Sequence, residues 1–240
     1  MIQSVRDLLP EANLSVYEEF SQKRDIGCET YDLLQIPEYK QVFESNKEVI
    51  SKAYGGLGVG FPDDIKLAKG SAWWNYRWFG WFRKVLMGYH ATCVNRFDDD
   101  YLMFVDSDIR FTKTFDDEFI KKVTNGKPIS FFKGRRAAVE TGLIVLDNRS
   151  PKSSKFYKWF MQMFIDGSFK KLERWDDSWT FTKMVERCPK KWFCDFAENQ
   201  NPIKHKNSNG QETGGQIIPV TVWGDYVEHD KGMHIRNKVL

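Results

Sequence analysis

Asp106 and Asp108 stand one residue apart at the end of the apolar run Tyr101-Leu-Met-Phe-Val105. Carboxylates so spaced offer hard anionic oxygens, the donors that Mg²⁺ and Mn²⁺ take. An uninterrupted apolar run predicts a strand buried on both faces. In an extended chain residues i and i+2 point to one side. The pair would then sit together where a buried strand emerges, which is where open α/β sheets bind ligands. The alternative is a solvated acidic turn ending a strand. Within the metal reading, Asp108 is the firmer ligand, and Asp106 binds the ion directly, reaches it through water or contacts ribose instead. An EF-hand loop is a poor match, because the positions that need Gly and Glu hold Phe111 and Asp117.

Two further stretches carry groups that suit the same chemistry. The tail Glu228-His229-Asp-Lys231-Gly232-Met-His234-Ile-Arg236 holds two of the four histidines. Either His229 or His234 offers a nitrogen ligand. His229 is preferred, because His-x-x-Gly keeps Lys231 close and lets the Gly232 backbone approach a phosphate. A metal flanked by Lys231 and Arg236 suits a diphosphate, whose oxygens the ion bridges and whose remaining charge the cations neutralise. In Trp175-Asp176-Asp177-Ser-Trp179 two carboxylates open an expected helix. One can cap it and the other can serve as a general base.

Four lesser candidates each have a plain structural alternative. Lys84 ends the aromatic run 73–82 and either faces solvent or reaches the donor side. Arg135 and Arg136 form a solvated turn or contact donor or acceptor. Glu140 hydrogen-bonds a sugar hydroxyl or caps a turn. Trp73, Trp74 and Trp78 belong to the core or line an acceptor groove, the role also open to Trp175.

The elements that must position these residues follow from periodicity. Residues 1–24 read as helical and amphipathic, interrupted at Pro10. Glu29 to Ile36 alternates as a strand. A helix is expected over 38–54, and another from Phe82 to Phe97. A further helix covers 115–124. Pro128–Phe132 and Thr141–Leu146 read as buried strands. A helix capped by Ser153 or Ser154 runs to Gly167, and another opens at Trp175. Residues 198–216 read as a polar loop, and 217–226 as a late strand. Gly55-Gly-Leu-Gly-Val-Gly60 resembles a phosphate loop only superficially, since neither a strand before it nor a helix after it is clear. Strands alternating with helices imply an α/β protein with a mixed, mainly parallel sheet flanked by helices.

Composition sets the outer limits. At 240 residues, with 29% charged and 41% hydrophobic residues, one soluble domain is the best count. A net charge of +3 is too small to argue for nucleic-acid binding. The 15% aromatic content, with nine Trp, serves core packing or stacking platforms for sugar rings. The four cysteines have no CxxC spacing, so no zinc site or disulfide framework is readable. No signal-like or 18-residue apolar run occurs, so a cytoplasmic location is expected, with peripheral membrane contact open.

Taken together, the strand leading into Asp106-Ser-Asp108, the Glu140-Thr-Gly-Leu-Ile-Val-Leu146 segment, Trp175-Asp-Asp177-Ser and His229-Asp-Lys-Gly232 resemble glycosyltransferases of the GT-A fold. The aromatic segment Trp73–Lys84 adds to the likeness, which spans roughly residues 70–236. The resemblance implies one Rossmann-like domain over 1–240. Residues 1–100 would form the donor-nucleotide half and 101–240 the metal and acceptor half. It implies Mn²⁺ or Mg²⁺ on Asp106, Asp108 and His229, holding the diphosphate of a nucleotide-sugar donor. Lys231, Arg236, Lys84 and Arg135 would contact the donor. Asp177, with Asp176 beside it, would act toward a glycan or glycoconjugate hydroxyl, near Glu140 and Trp175. The chain departs from that family at its start, where the usual first strand is missing, displaced or too short to read. The rival classes are a metal-dependent nucleotidyl- or phosphotransferase and a non-catalytic carbohydrate-binding protein.

Overall fold

The computed structural model describes residues 2–18, 27–47, 78–95, 97–133, 138–198, 200, 203–206 and 212–229, with backbone alone for 203–206 and 212–216. Within them the protein is mixed α/β. It divides into two compact units, each built from separated parts of the chain. One comprises 1–14, 99–150 and 189–240, and the other 15–98 and 151–188.

The first unit is built on a four-stranded sheet. Its strands are β3 (Tyr101–Val105), β5 (Ile129–Lys133), β6 (Val139–Asp147) and β7 (Phe193–Asp195), in the order β3-β6-β5-β7. β6 pairs antiparallel with β3 and β5, while β7 runs parallel to β5. A short antiparallel ladder joins β4 (Ile109–Phe111) to β10 (Val227–His229). The core behind these strands holds Ile109, Phe111, Phe132, Leu143, Val145, Ile218, Trp223 and Val227. Val5 of helix α1 (Ile2–Leu8) and Ile120 of α4 (Asp117–Thr124) join it. α4 is framed by its own sequence. Asp116 accepts the Phe119 N–H at 2.9 Å, acids fill the first turn and lysines the last, and Asn125 closes it at φ 51°.

The second unit is mainly helical: α2 (Pro37–Ser45), α3 (Trp78–Tyr89), α5 (Pro151–Ile165) and α6 (Asp177–Arg187). A parallel pair, β1 (Ser15–Glu18) with β2 (Glu29–Asp32), accompanies them. Its core is aromatic. Trp78 lies against Phe169 at 4.6 Å between ring centroids, and Phe82, Phe156, Phe160, Phe164 and Phe181 extend the cluster. The aromatic surplus of the sequence is thus spent largely on packing. Trp78 is fully buried and lines no groove. Trp73, Trp74 and the Gly55–Gly60 segment lie outside the described residues.

Several expectations are corrected. α1 stops before Pro10, and the β-branched Val16 and aromatic Tyr17 enter a strand, so an early strand does form. Among the described pairings, antiparallel ladders outnumber parallel ones, so the sheet is mixed but not mainly parallel. The five residues between β5 and β6 are too few for the crossover that parallel pairing requires. β3 is half-buried and terminal in the strand order; the buried inner strands are β6 and β5. The helix expected from Phe82 starts at Trp78 and ends in a π-helical turn, His90–Val94. α5 starts at Pro151, ahead of the expected serine cap, with proline's fixed φ suited to a first turn. The polar stretch before Ile217 contains a hairpin, β8 (Ile203–Lys206) with β9 (Glu212–Gln216). The expected late strand is instead two 3₁₀ turns, Ile218–Val220 and Val222–Asp225. Pro219 lacks the N–H a ladder needs, and Gly224 sits where a Cβ would be 2.4 Å from the Pro219 carbonyl oxygen.

Candidate metal centre

Asp106 and Asp108 lie in the tight turn between β3 and β4, rather than on an extended strand. The Asp106 carbonyl accepts the Ile109 N–H at 3.0 Å, and the Asp106 N–H donates to the Gly142 carbonyl of β6 at 2.8 Å. These two bonds hold both ends of Asp106 against the sheet. His229 comes from far along the chain. The β4–β10 ladder pairs it with Ile109, directly after the turn. Arg110 and Glu228 form an ion pair across the same ladder. The result is one ligand atom each from Asp106, Asp108 and His229, all within 4.8 Å of one another.

The burial of these groups is graded. The His229 side chain is 5% exposed, whereas Asp108 is 31% exposed, and His229 Nε2 lies 3.3 Å from Asp108 Oδ1. The imidazole is therefore fixed by packing while the carboxylate faces outward. Two carboxylate oxygens and one imidazole nitrogen fit a divalent ion of intermediate character, Mn²⁺ better than Ca²⁺. Three protein ligands leave the other positions of an octahedral ion open to water or substrate oxygens.

Gly142 forms the floor. A Cβ built there would meet His229 Cε1 at 3.1 Å, Ile109 Cδ1 at 3.4 Å and Asp106 Oδ2 at 3.5 Å. The residue was read only as part of an apolar strand, although a glycine inside a strand is the usual sign of close approach. Gly142→Ala is expected to push His229 aside by a few tenths of an ångström and weaken Mn²⁺ binding roughly tenfold, with little change in stability. Mn²⁺ titration of the variant checks this; unchanged affinity would show that the floor is not tight. Glu140 is half-buried on the same strand, beyond the irregular stretch in its pairing with β5.

The other predicted site residues divide clearly. In the helical unit, Lys84 Nζ pairs with Asp177 Oδ2 at 2.8 Å, the carboxylate side chain being 9% exposed. Lys84 is thus engaged with the expected catalytic carboxylate, a contact between α3 and α6 that the sequence does not reveal. Asp176 is the N-cap of α6. Its carboxylate accepts the Trp179 N–H at 3.1 Å and the Arg174 Nε–H at 2.9 Å. Both its oxygens are therefore occupied structurally. Trp175 donates its indole N–H to the Leu172 carbonyl at 3.1 Å and packs edge-on to Phe169. Arg135, Lys231, His234 and Arg236 lie outside the described residues.

Burial pushes the Asp176 carboxyl above its usual range, against the pull of Arg174 and the Trp179 N–H. A raised folded value means that this carboxyl favours the fold when protonated. That contribution is present at low pH and lost as pH rises through the folded value. Wild type should therefore gain stability relative to Asp176→Asn as pH falls toward roughly 4. Asn keeps the cap, whereas Asp176→Ala removes both the cap and the ion pair with Arg174, which is expected to cost about 1–3 kcal/mol. Urea unfolding of both variants at two pH values tests the assignment; an Ala variant as stable as wild type would contradict it.

The site defines a mixed α/β protein with an Asp-Asp-His group suited to a divalent ion. No protein-family model matches the chain, and no curated protein matches it. Among solved structures it is similar to the apo crystal structure of mouse xyloside xylosyltransferase 1, with a TM-score of 0.38 and 11% sequence identity. The match covers 70% of this chain and 62% of that one, so the chain spans less than two thirds of that neighbour's length.

Proposed function

We propose that the protein is a metal-dependent glycosyltransferase that moves a sugar from a nucleoside-diphosphate sugar to a hydroxyl acceptor. The observation that carries this reading is the convergence of Asp106, Asp108 and His229 over Gly142. The sequence likeness to GT-A enzymes gives that convergence its chemical direction. When bound there, Mn²⁺ or Mg²⁺ supplies positive charge for the diphosphate leaving group, where negative charge grows in the transition state.

The chain's own residues do the rest. Asp106, Asp108 and the packed His229 fix the position of the charge they hold. Gly142, lacking a Cβ, lets Asp106 and His229 lie close over the strand. From the sequence likeness alone, Asp177 is the proposed carboxylate that takes the hydroxyl proton if the reaction inverts; within its own unit it pairs with Lys84 at 2.8 Å. Asp176 caps α6 and pairs with Arg174, so the proposed base is Asp177. Lys231 and Arg236, shortly after His229, are the proposed phosphate contacts.

A thermal-shift screen of nucleoside diphosphates with and without Mn²⁺ tests the reading, because ligands of the native state raise its stability. The expected result is stabilisation by a nucleoside diphosphate that needs Mn²⁺. Release of nucleoside diphosphate from a nucleotide sugar separates this activity from nucleotidyl transfer, which would release pyrophosphate. Glycan binding indifferent to both nucleotide and metal would point instead to a carbohydrate-binding protein.

A further inference from the structure

Helix α5 carries a second feature, unrelated to the metal centre. Its inner side, Phe156, Phe160, Met163 and Phe164, is buried in the aromatic core of its unit. Its outer side is cationic. The helix, PKSSKFYKWFMQMFI, contains three lysines and no acidic residue. Lys152, Lys155 and Lys158 are all exposed. Together with Trp159 and Gln162 they fall within about a third of the circumference at 3.6 residues per turn. The first acidic side chain beyond the helix, Asp166, accepts the Ser168 N–H at 2.8 Å, and so is turned to the next turn.

Trp159 is the unusual member. It is 42% exposed on a chain whose other described large aromatics are mostly buried, and Lys155 Nζ sits 4.8 Å from its ring centroid. A tryptophan among lysines has an apolar body for the headgroup region and cations for the phosphates around it.

We infer that the outer face of α5 docks on an anionic lipid surface. The three lysines supply the attraction, and Trp159 enters the headgroup layer as the single apolar anchor. Because the other face of the helix is locked into its unit, the contact is shallow, reversible and sensitive to salt.

Co-sedimentation of the full chain with vesicles tests this. The chain should pellet with phosphatidylcholine vesicles containing about 30 mol% phosphatidylserine, and not with phosphatidylcholine alone. Lys152→Gln/Lys155→Gln/Lys158→Gln should weaken binding on the order of 100-fold. Trp159→Ala should weaken it about tenfold. Both variants should melt like wild type, since every changed side chain is exposed. Binding unchanged in the triple variant, equal binding to neutral vesicles, or capture by heparin with no uptake by anionic vesicles would each overturn the inference.

Discussion

Asp108→Ala is expected to lower sugar transfer by about a thousandfold while moving the melting temperature by no more than about 2 °C. The two halves of that expectation come from different facts. The Asp108 side chain is 31% exposed against 5% for His229, so little packing is lost with it. It is also one of only three protein donors in the group, and its removal leaves Asp106 and His229 too few to hold the ion where the diphosphate must bind. Excess chelator should reproduce the loss in wild type, and Asp108→Asn should resemble Asp108→Ala, since charge rather than shape is what the ion needs. Nucleoside diphosphate release, read beside a thermal melt, checks both halves. Full activity in Asp108→Ala would remove the centre from the reaction.

Gly88→Ala should be the most damaging small change in the helical unit, costing about 2–4 kcal/mol. Within a helix such as α3, alanine ordinarily improves on glycine by about 1 kcal/mol. Here the added Cβ would lie 2.0 Å from Tyr157 Cε1, with Cζ and Cδ1 at 2.5 and 2.6 Å. Tyr157 is 2% exposed on α5 and cannot swing away. The steric term therefore reverses the propensity term. Replacing Tyr157 with leucine in the same chain should recover part of the loss, giving a coupling of about 1–3 kcal/mol in a double-mutant cycle. Urea unfolding of the four proteins measures it. Additive losses would mean that the helices part at this crossing without strain.

What was legible beforehand was chemistry that lies close together in the chain. Asp106 and Asp108 stood out because an apolar run ends abruptly in two acids. Asp176 and Asp177 stood out together as cap and base because they precede an apolar helix face, and only the structure assigns the cap to Asp176. The histidine was visible as a type in a charged tail. Its choice over His234 rests on spacing, while its actual placement depends on the β4–β10 ladder, whose strands lie far apart in the chain. The Lys84–Asp177 pair and the Gly142 floor are likewise long-range contacts, which no local pattern encodes. Period-based expectations failed where turn chemistry prevailed. Pro219 and Gly224 broke an apolar stretch that alternation alone would have made a strand, and Pro10 released Val16 and Tyr17 from the helix before them. Alternation of strands and helices implies a mainly parallel sheet, whereas the short link between β5 and β6 decides their antiparallel pairing.

The proposal stands on Asp106, Asp108 and His229 binding one divalent ion. Titration of Mn²⁺ by electron paramagnetic resonance, with and without a nucleoside diphosphate, tests this on wild type and on a variant with all three ligands replaced by alanine. Wild type should take up a single Mn²⁺ per chain, more tightly with the nucleotide present, and the variant should take up none while retaining its fold. Equal Mn²⁺ binding by the two proteins, or no binding by wild type even with the nucleotide, would contradict the assignment of the centre.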